Sequence, residues 1–120
     1  MPDSPILNPS AIEALRSISP EGDSSFLIEL IDIYLTDTPK QLALLEDALA
    51  KQDSATVIRA SHSIKGSSGN FGATRFAQLA QEIESHGKTN NLAAAAALLD
   101  ELKSHYVLVA AALNRIARGT

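Results

Sequence analysis

Residues 57 to 71 form the segment whose side-chain types and spacing could do chemistry. On a helical wheel, at about 100° per residue, Val57, Ser61, Ile64, Ser68 and Phe71 fall within about 40° of one direction and define an inward face. His62 lies about 140° from that direction, Arg59 about 160°, Gly66 about 180°, Gly69 about 120° and Lys65 about 80°. The imidazole therefore points to water. Gly66 stands one turn beyond it, so the neighbouring position carries no side chain, and Lys65 brings a cation to the same turn. Neutral imidazole, with a reference pKa of about 6.5, is a nitrogen nucleophile near neutral pH and can attack an activated phosphoryl group. Phosphoryl transfer asks mainly for positioning and for neutralisation of charge on the transferring oxygens, which Lys65 and Arg59 could supply. Gly66 and Gly69 each cost about 1 kcal/mol against alanine in a helix interior. Neither serves the inward face; an open approach to His62 is the reason for Gly66.

The rest of the strip around His62 reads as a docking surface. Ile58, at about 100° from the core direction, supplies an apolar contact, with Arg59, Ser63 and Gly69 around it. Lys65-Gly66-Ser67-Ser68-Gly69 has neither the spacing of a phosphate-binding loop nor a preceding strand, so a nucleotide bound by this chain is not the donor. His86, just before Gly87, reads as a helix-end residue interacting with terminal carbonyls, and His105 as structural or exposed. The three histidines share no helix face at metal-binding spacing, so no metal site is expected. Glu82, Glu84 and His86 read as a solvated polar set.

These residues need a scaffold, and composition indicates which kind. With 120 residues, 45% hydrophobic, the chain suits a single domain over 1–120 with one core. Lys+Arg 10 against Asp+Glu 14 gives net charge -4, which argues against a nucleic-acid binder, and the absence of cysteine removes thiol chemistry. No apolar run reaches the ~20 residues needed to span a bilayer, and Met1 to Asn8 does not resemble a signal peptide, so a cytoplasmic protein without membrane contact is expected.

The apolar periodicity is helical throughout, predicting an all-α, up-and-down four-helix bundle with a short accessory N-terminal helix. Residues 1–22 form an arm with that short helix, capped by Asn8 with Pro9 in its first turn and burying Ile12, Leu15 and Ile18. Residues 23–118 form the bundle. Its first helix follows Pro20-Glu21-Gly22-Asp23 and buries Phe26, Leu27, Leu30, Ile31, Tyr34 and Leu35 as far as about Thr36. Thr38 as cap and Pro39 in the first turn start another, with Leu42, Leu45, Ala48 and Leu49 inward. Asp53 or Ser54 opens the helix that carries His62, and Gly72 closes it. The next runs from Thr74 to His86, with Phe76, Leu79, Ala80 and Ile83 inward and Gly87 terminating it. Asn90 or Asn91 caps a final helix to about Arg118.

His62-Ser63-Ile64-Lys65-Gly66-Ser67-Ser68-Gly69-Asn70-Phe71-Gly72-Ala73 resembles the signature of histidine-containing phosphotransfer (HPt) domains of phosphorelays. The similarity extends through Phe26 to Leu30-Ile31, Asp37-Thr38-Pro39, Arg59-Ala60-Ser61 and Ile83-Glu84. It implies a four-helix bundle in which His62 is the phosphoacceptor, Lys65 the charge partner and Gly66 the residue that keeps the site open. It also implies receiver domains as donor and acceptor, a hybrid sensor kinase as a further partner, and Mg²⁺ held by the receiver rather than by this domain. Glu84 occupies a position where some members place a glutamine near the histidine, but a carboxylate there would repel a phosphoryl group, so a structural or solvent-facing role is expected for it. A monomeric carrier without catalytic turnover is the resulting expectation. Its rivals are a helical module that docks or sequesters signalling proteins without being phosphorylated, and, more distantly, a four-helix enzyme or metal carrier.

Overall fold

A computed structural model describes residues 6–18 and 25–119. Among these the elements are α1 (Pro9–Arg16), α2 (Ser25–Lys51), α3 (Ser54–Gly69), α4 (Thr74–Lys88), α5 (Leu92–Ala97) and α6 (Leu99–Gly119), with no strand. Short connections turn α2, α3 and α4 back on one another. α3 packs between α2 and α4, and α6 closes the bundle against those same two helices. The expected four-helix architecture with an accessory N-terminal helix is what the chain adopts.

The helix that carries His62 starts where its cap predicts: Asp53 accepts from the Thr56 backbone N–H at 3.2 Å and from its hydroxyl at 2.7 Å. Its inward residues Val57, Ser61, Ile64 and Ser68, with Phe71 just beyond, are all buried. Tyr34 of α2 and Ser68 of α3 share a hydrogen bond of 2.7 Å in the core, and Phe71 meets the Tyr34 ring edge-on at 5.1 Å. Burial pushes the Tyr34 phenol up to about 12, against the opposing pull of that Ser68 bond. Gly72 then ends the segment at φ +69, and a Cβ there would collide with Asn8. That close approach docks the arm, because Asn8 N–H donates to the Gly72 carbonyl at 2.9 Å while its side chain caps α1.

Four boundaries differ from the sequence expectation. α2 is one helix of 27 residues that runs straight through Thr38-Pro39. Its buried positions, Leu27, Ile31, Tyr34, Thr38, Leu42, Leu45 and Leu49, keep an unbroken three-and-four spacing, so one continuous inward stripe overrides the proline. Pro39 itself is on the exposed side, where the carbonyl freed four residues earlier can turn to water. α4 continues past Gly87 to Lys88, and the chain turns instead at Asn90, in the left-handed region at φ 56. Gly87 is buried because a Cβ there would lie 3.0 Å from Ile58 Cγ1 and 3.3 Å from Val57 Cγ1; it is a close-packing residue between α3 and α4.

The last helix is split at Leu98, whose N–H bonds to Ala95 three residues back, while Asn91 caps its first part through the Ala94 N–H at 3.3 Å. In the arm Ile12 is buried and Leu15 partly so, but Ile18 is 63% exposed because α1 stops at Arg16. Pro20-Glu21-Gly22-Asp23 lies outside the described residues.

Candidate functional site

α3 presents His62 as the wheel requires, with its side chain 65% exposed. Gly66 leaves the approach open: a methyl group placed there would meet no atom within 4 Å beyond its chain neighbours and its own helix backbone, and the same is true of Gly69. Neither glycine is therefore demanded by packing within this chain. Ser63 is exposed on the same helix, while Ile58 is half-buried, turned partly toward Gly87 of α4. Arg59 is exposed and bonds back along its helix to Thr56 Oγ1 at 3.1 Å. Its charge joins the Thr56 bonds in holding the Asp53 carboxyl below its usual value.

The residue beside the imidazole is Glu84, whose expected role is structural or solvent-facing; it is neither exposed nor apart from the site. Its side chain is 5% exposed, and its Oε2 lies 3.0 Å from His62 Nδ1. A carboxylate only accepts, so Nδ1 carries the proton, and in neutral imidazole the lone pair is then on Nε2. Lys65 places Nζ 2.9 Å from Oε1, and Lys88, one turn further along α4, places its own 3.4 Å from Oε2. Oε1 receives no aligned hydrogen bond, so the Lys65 contact is a charge pairing. Burial works to raise the Glu84 pKa, but Lys65, His62 and Lys88 outweigh it and hold the carboxyl below its ordinary value. Lys65 is thus tied to a carboxylate rather than standing free beside the imidazole.

Glu84 therefore contributes stability at neutral pH that is lost as pH falls below the ordinary glutamate value of about 4.3 and on through its depressed folded value. The thermal midpoint of the wild type should fall toward that of Glu84→Gln as pH is lowered from 7 through this window. A gap that stayed constant with pH would contradict the pairing.

Sequence names Glu84 but gives it a structural or solvent-facing role, and it does not single out Lys88, although a signal exists for both. On the α4 wheel Glu84 falls at the edge of the arc set by Phe76, Leu79, Ala80 and Ile83, about 90° from its centre, and Lys88 follows at i+4. Glu82, by contrast, is half exposed, 3.8 Å from Arg75, and belongs to the solvent as expected. The other histidines are structural in their surroundings. His86 offers its carbonyl to the Asn91 N–H at 2.8 Å, and His105 stacks on Phe76 at 6.5 Å, where burial lowers its pKa. Among the described residues no group of three or more His, Asp or Glu side chains is placed to hold a metal, and no helix is long and apolar enough to cross a membrane.

Comparison with known proteins bears on what this arrangement serves. The family model described as Hpt domain matches residues 29–118, which include α3, α4 and most of α2 and α6. The chain belongs to the Hpt family. A curated relative, the phosphorelay intermediate protein rdeA of Dictyostelium discoideum, is 31% identical over 83 residues, covering 69% of this chain and 33% of that protein. The chain thus spans about a third of that relative's length. The crystal structure of histidine-containing phosphotransfer protein B (HptB) from Pseudomonas aeruginosa PAO1 superposes with a TM-score of 0.89 at 23% identity, covering 98% of this Hpt chain and 99% of that one. That likeness is one of fold.

Proposed function

We propose that this Hpt chain is a phosphorelay carrier that accepts a phosphoryl group on His62 Nε2 from a receiver-domain aspartate and passes it to another receiver. The observation that carries the reading is an exposed imidazole whose Nδ1 lies 3.0 Å from a buried carboxylate, Glu84. Attack by the Nε2 lone pair forms the N–P bond as the P–O bond to the receiver's aspartyl carboxylate breaks, and that carboxylate leaves with the electron pair. No proton has to move, because the proton stays on Nδ1, which donates to Glu84 throughout. The phosphorylated ring is cationic, and the Glu84 charge faces it, which offsets the repulsion that a carboxylate offers the phosphoryl oxygens. Return to a second receiver is the reverse step. Mg²⁺ and the activated aspartate belong to the receiver, so this chain supplies a nucleophile, its orientation and cations without turnover of its own.

Gly66 keeps the approach open to a partner, with Ser63, Gly69, Arg59 and the uncovered part of Ile58 as further contacts. Gly66→Leu should separate two properties in opposite directions. Helix propensity raises stability by up to about 1 kcal/mol, since a Cβ at this position on the outward face meets no other part of the chain. Transfer should slow about tenfold or more, because the partner's reacting atom is pushed from its line of approach. Circular dichroism melts and transfer time courses check the pair, and an unchanged rate would refute the clearing. The reading itself is tested by incubating the chain with purified receivers charged by acetyl phosphate and Mg²⁺. Acid-labile, base-stable label on His62 supports it; measurable receiver binding with no label would favour a docking module instead.

A further inference from the structure

Glu84 has more cations around it than one carboxylate needs. Lys65 reaches it from α3 and Lys88 from α4, so at neutral pH, with His62 uncharged, the cluster of four side chains carries one surplus positive charge. Lys88 Nζ and His62 Nδ1 approach the same oxygen, Glu84 Oε2, at 3.4 and 3.0 Å. The lysine side chain is 62% exposed, against 31% for Lys65, so the Lys88 ammonium is the freer of the two to swing on its flexible stem. An ordinary i,i+4 pair on a helix surface has an exposed acid. This acid is buried and already engaged by the imidazole and by Lys65.

We propose, resting on the phosphoacceptor reading of His62, that Lys88 is a second phosphoryl-binding cation. In the resting state Glu84 holds it beside the imidazole. When His62 carries a phosphoryl group, the Lys88 ammonium turns from Glu84 Oε2 to a phosphoryl oxygen, while Oε2 keeps the Nδ1 proton. The charges balance: the phosphorylated imidazolium with its dianionic group adds one net negative charge to the four side chains, which cancels the surplus. Lys65 on α3 and Lys88 on α4 then flank the phosphoryl group from two helices, and the charged state of the carrier is stabilised without a pocket.

The test charges His62 chemically with potassium phosphoramidate, which needs no partner protein, and compares the wild type with Lys88→Ala, Lys88→Arg and Lys103→Ala. Lys103 removes the same charge from α6, where it pairs with Glu46 at 3.2 Å. The ³¹P resonance of phosphorylated His62 is followed against pH, together with the lifetime of the phosphoryl group. Lys88→Ala should raise the pH midpoint of the phosphoryl titration and shorten the lifetime about two- to fivefold, the range that an exposed charge contact commands. Lys88→Arg should restore both, and Lys103→Ala should leave both as in the wild type. An unchanged titration and lifetime in Lys88→Ala, or an equal change in Lys103→Ala, would overturn the role of Lys88 while leaving the carrier reading intact. Failure of receivers to charge His62 would count against the carrier reading alone, since the phosphoramidate measurement does not use them.

Discussion

His62→Gln should reduce phosphoryl acceptance from any receiver to background while leaving the fold in place. Glutamine has no nucleophilic nitrogen, so no N–P bond can form, whereas its amide N–H can still donate to Glu84. The histidine side chain is 65% exposed and its one buried partner keeps a donor in the variant, so stability should change by about 1 kcal/mol or less. Label transfer on a gel and a thermal melt of the same sample measure both halves of the expectation. Label retained in the variant would place the acceptor elsewhere; collapse of the melt would show that His62 belongs to the core.

Glu84→Ala should produce the next largest loss, slowing transfer about tenfold to a hundredfold. Removing the carboxylate lets the imidazole proton redistribute to Nε2, so a smaller share of molecules presents the nucleophilic lone pair outward, and the ring loses its anchor. Where a carboxylate orients a buried catalytic histidine, loss of the correct tautomer costs about 10⁴. Here the ring is exposed and can still present Nε2 part of the time, which sets the smaller figure. Glu84→Gln keeps an acceptor for Nδ1–H and should recover much of the rate. The ¹⁵N resonances of His62 distinguish this from a loss of packing, since Glu84→Ala should shift them toward the mixture of an unconstrained imidazole and Glu84→Gln should not. Equal rates in all three proteins would remove Glu84 from the mechanism.

The contrast between His62 and Glu84 shows what could be read from the chain alone. His62, Lys65, Gly66 and Gly69 lie on one helix within eight residues, and their relative directions follow from its fixed rotation per residue. The inward faces of α3 and α4, the Asn8 cap, the choice of cap narrowed to Asp53 or Ser54 and to Asn90 or Asn91, and the all-α class are likewise local properties of spacing and side-chain type. Glu84 and Lys88 are remote in sequence from His62, and their part in the site exists only because α4 packs against α3. That packing depends on Gly87, which lies beneath Ile58 and Val57 and looks in sequence like a helix terminator. Pro39 misleads for a related reason: a local rule ends the helix there, but the continuous apolar stripe from Leu27 to Leu49 buries enough side chain to carry α2 through. Sequence by itself therefore determined the fold class, the outward histidine and the open turn beside it. Tertiary structure decided the protonated nitrogen and the cations around it, because burial and close approach between helices, unlike periodicity along one of them, bring together residues that sequence keeps apart.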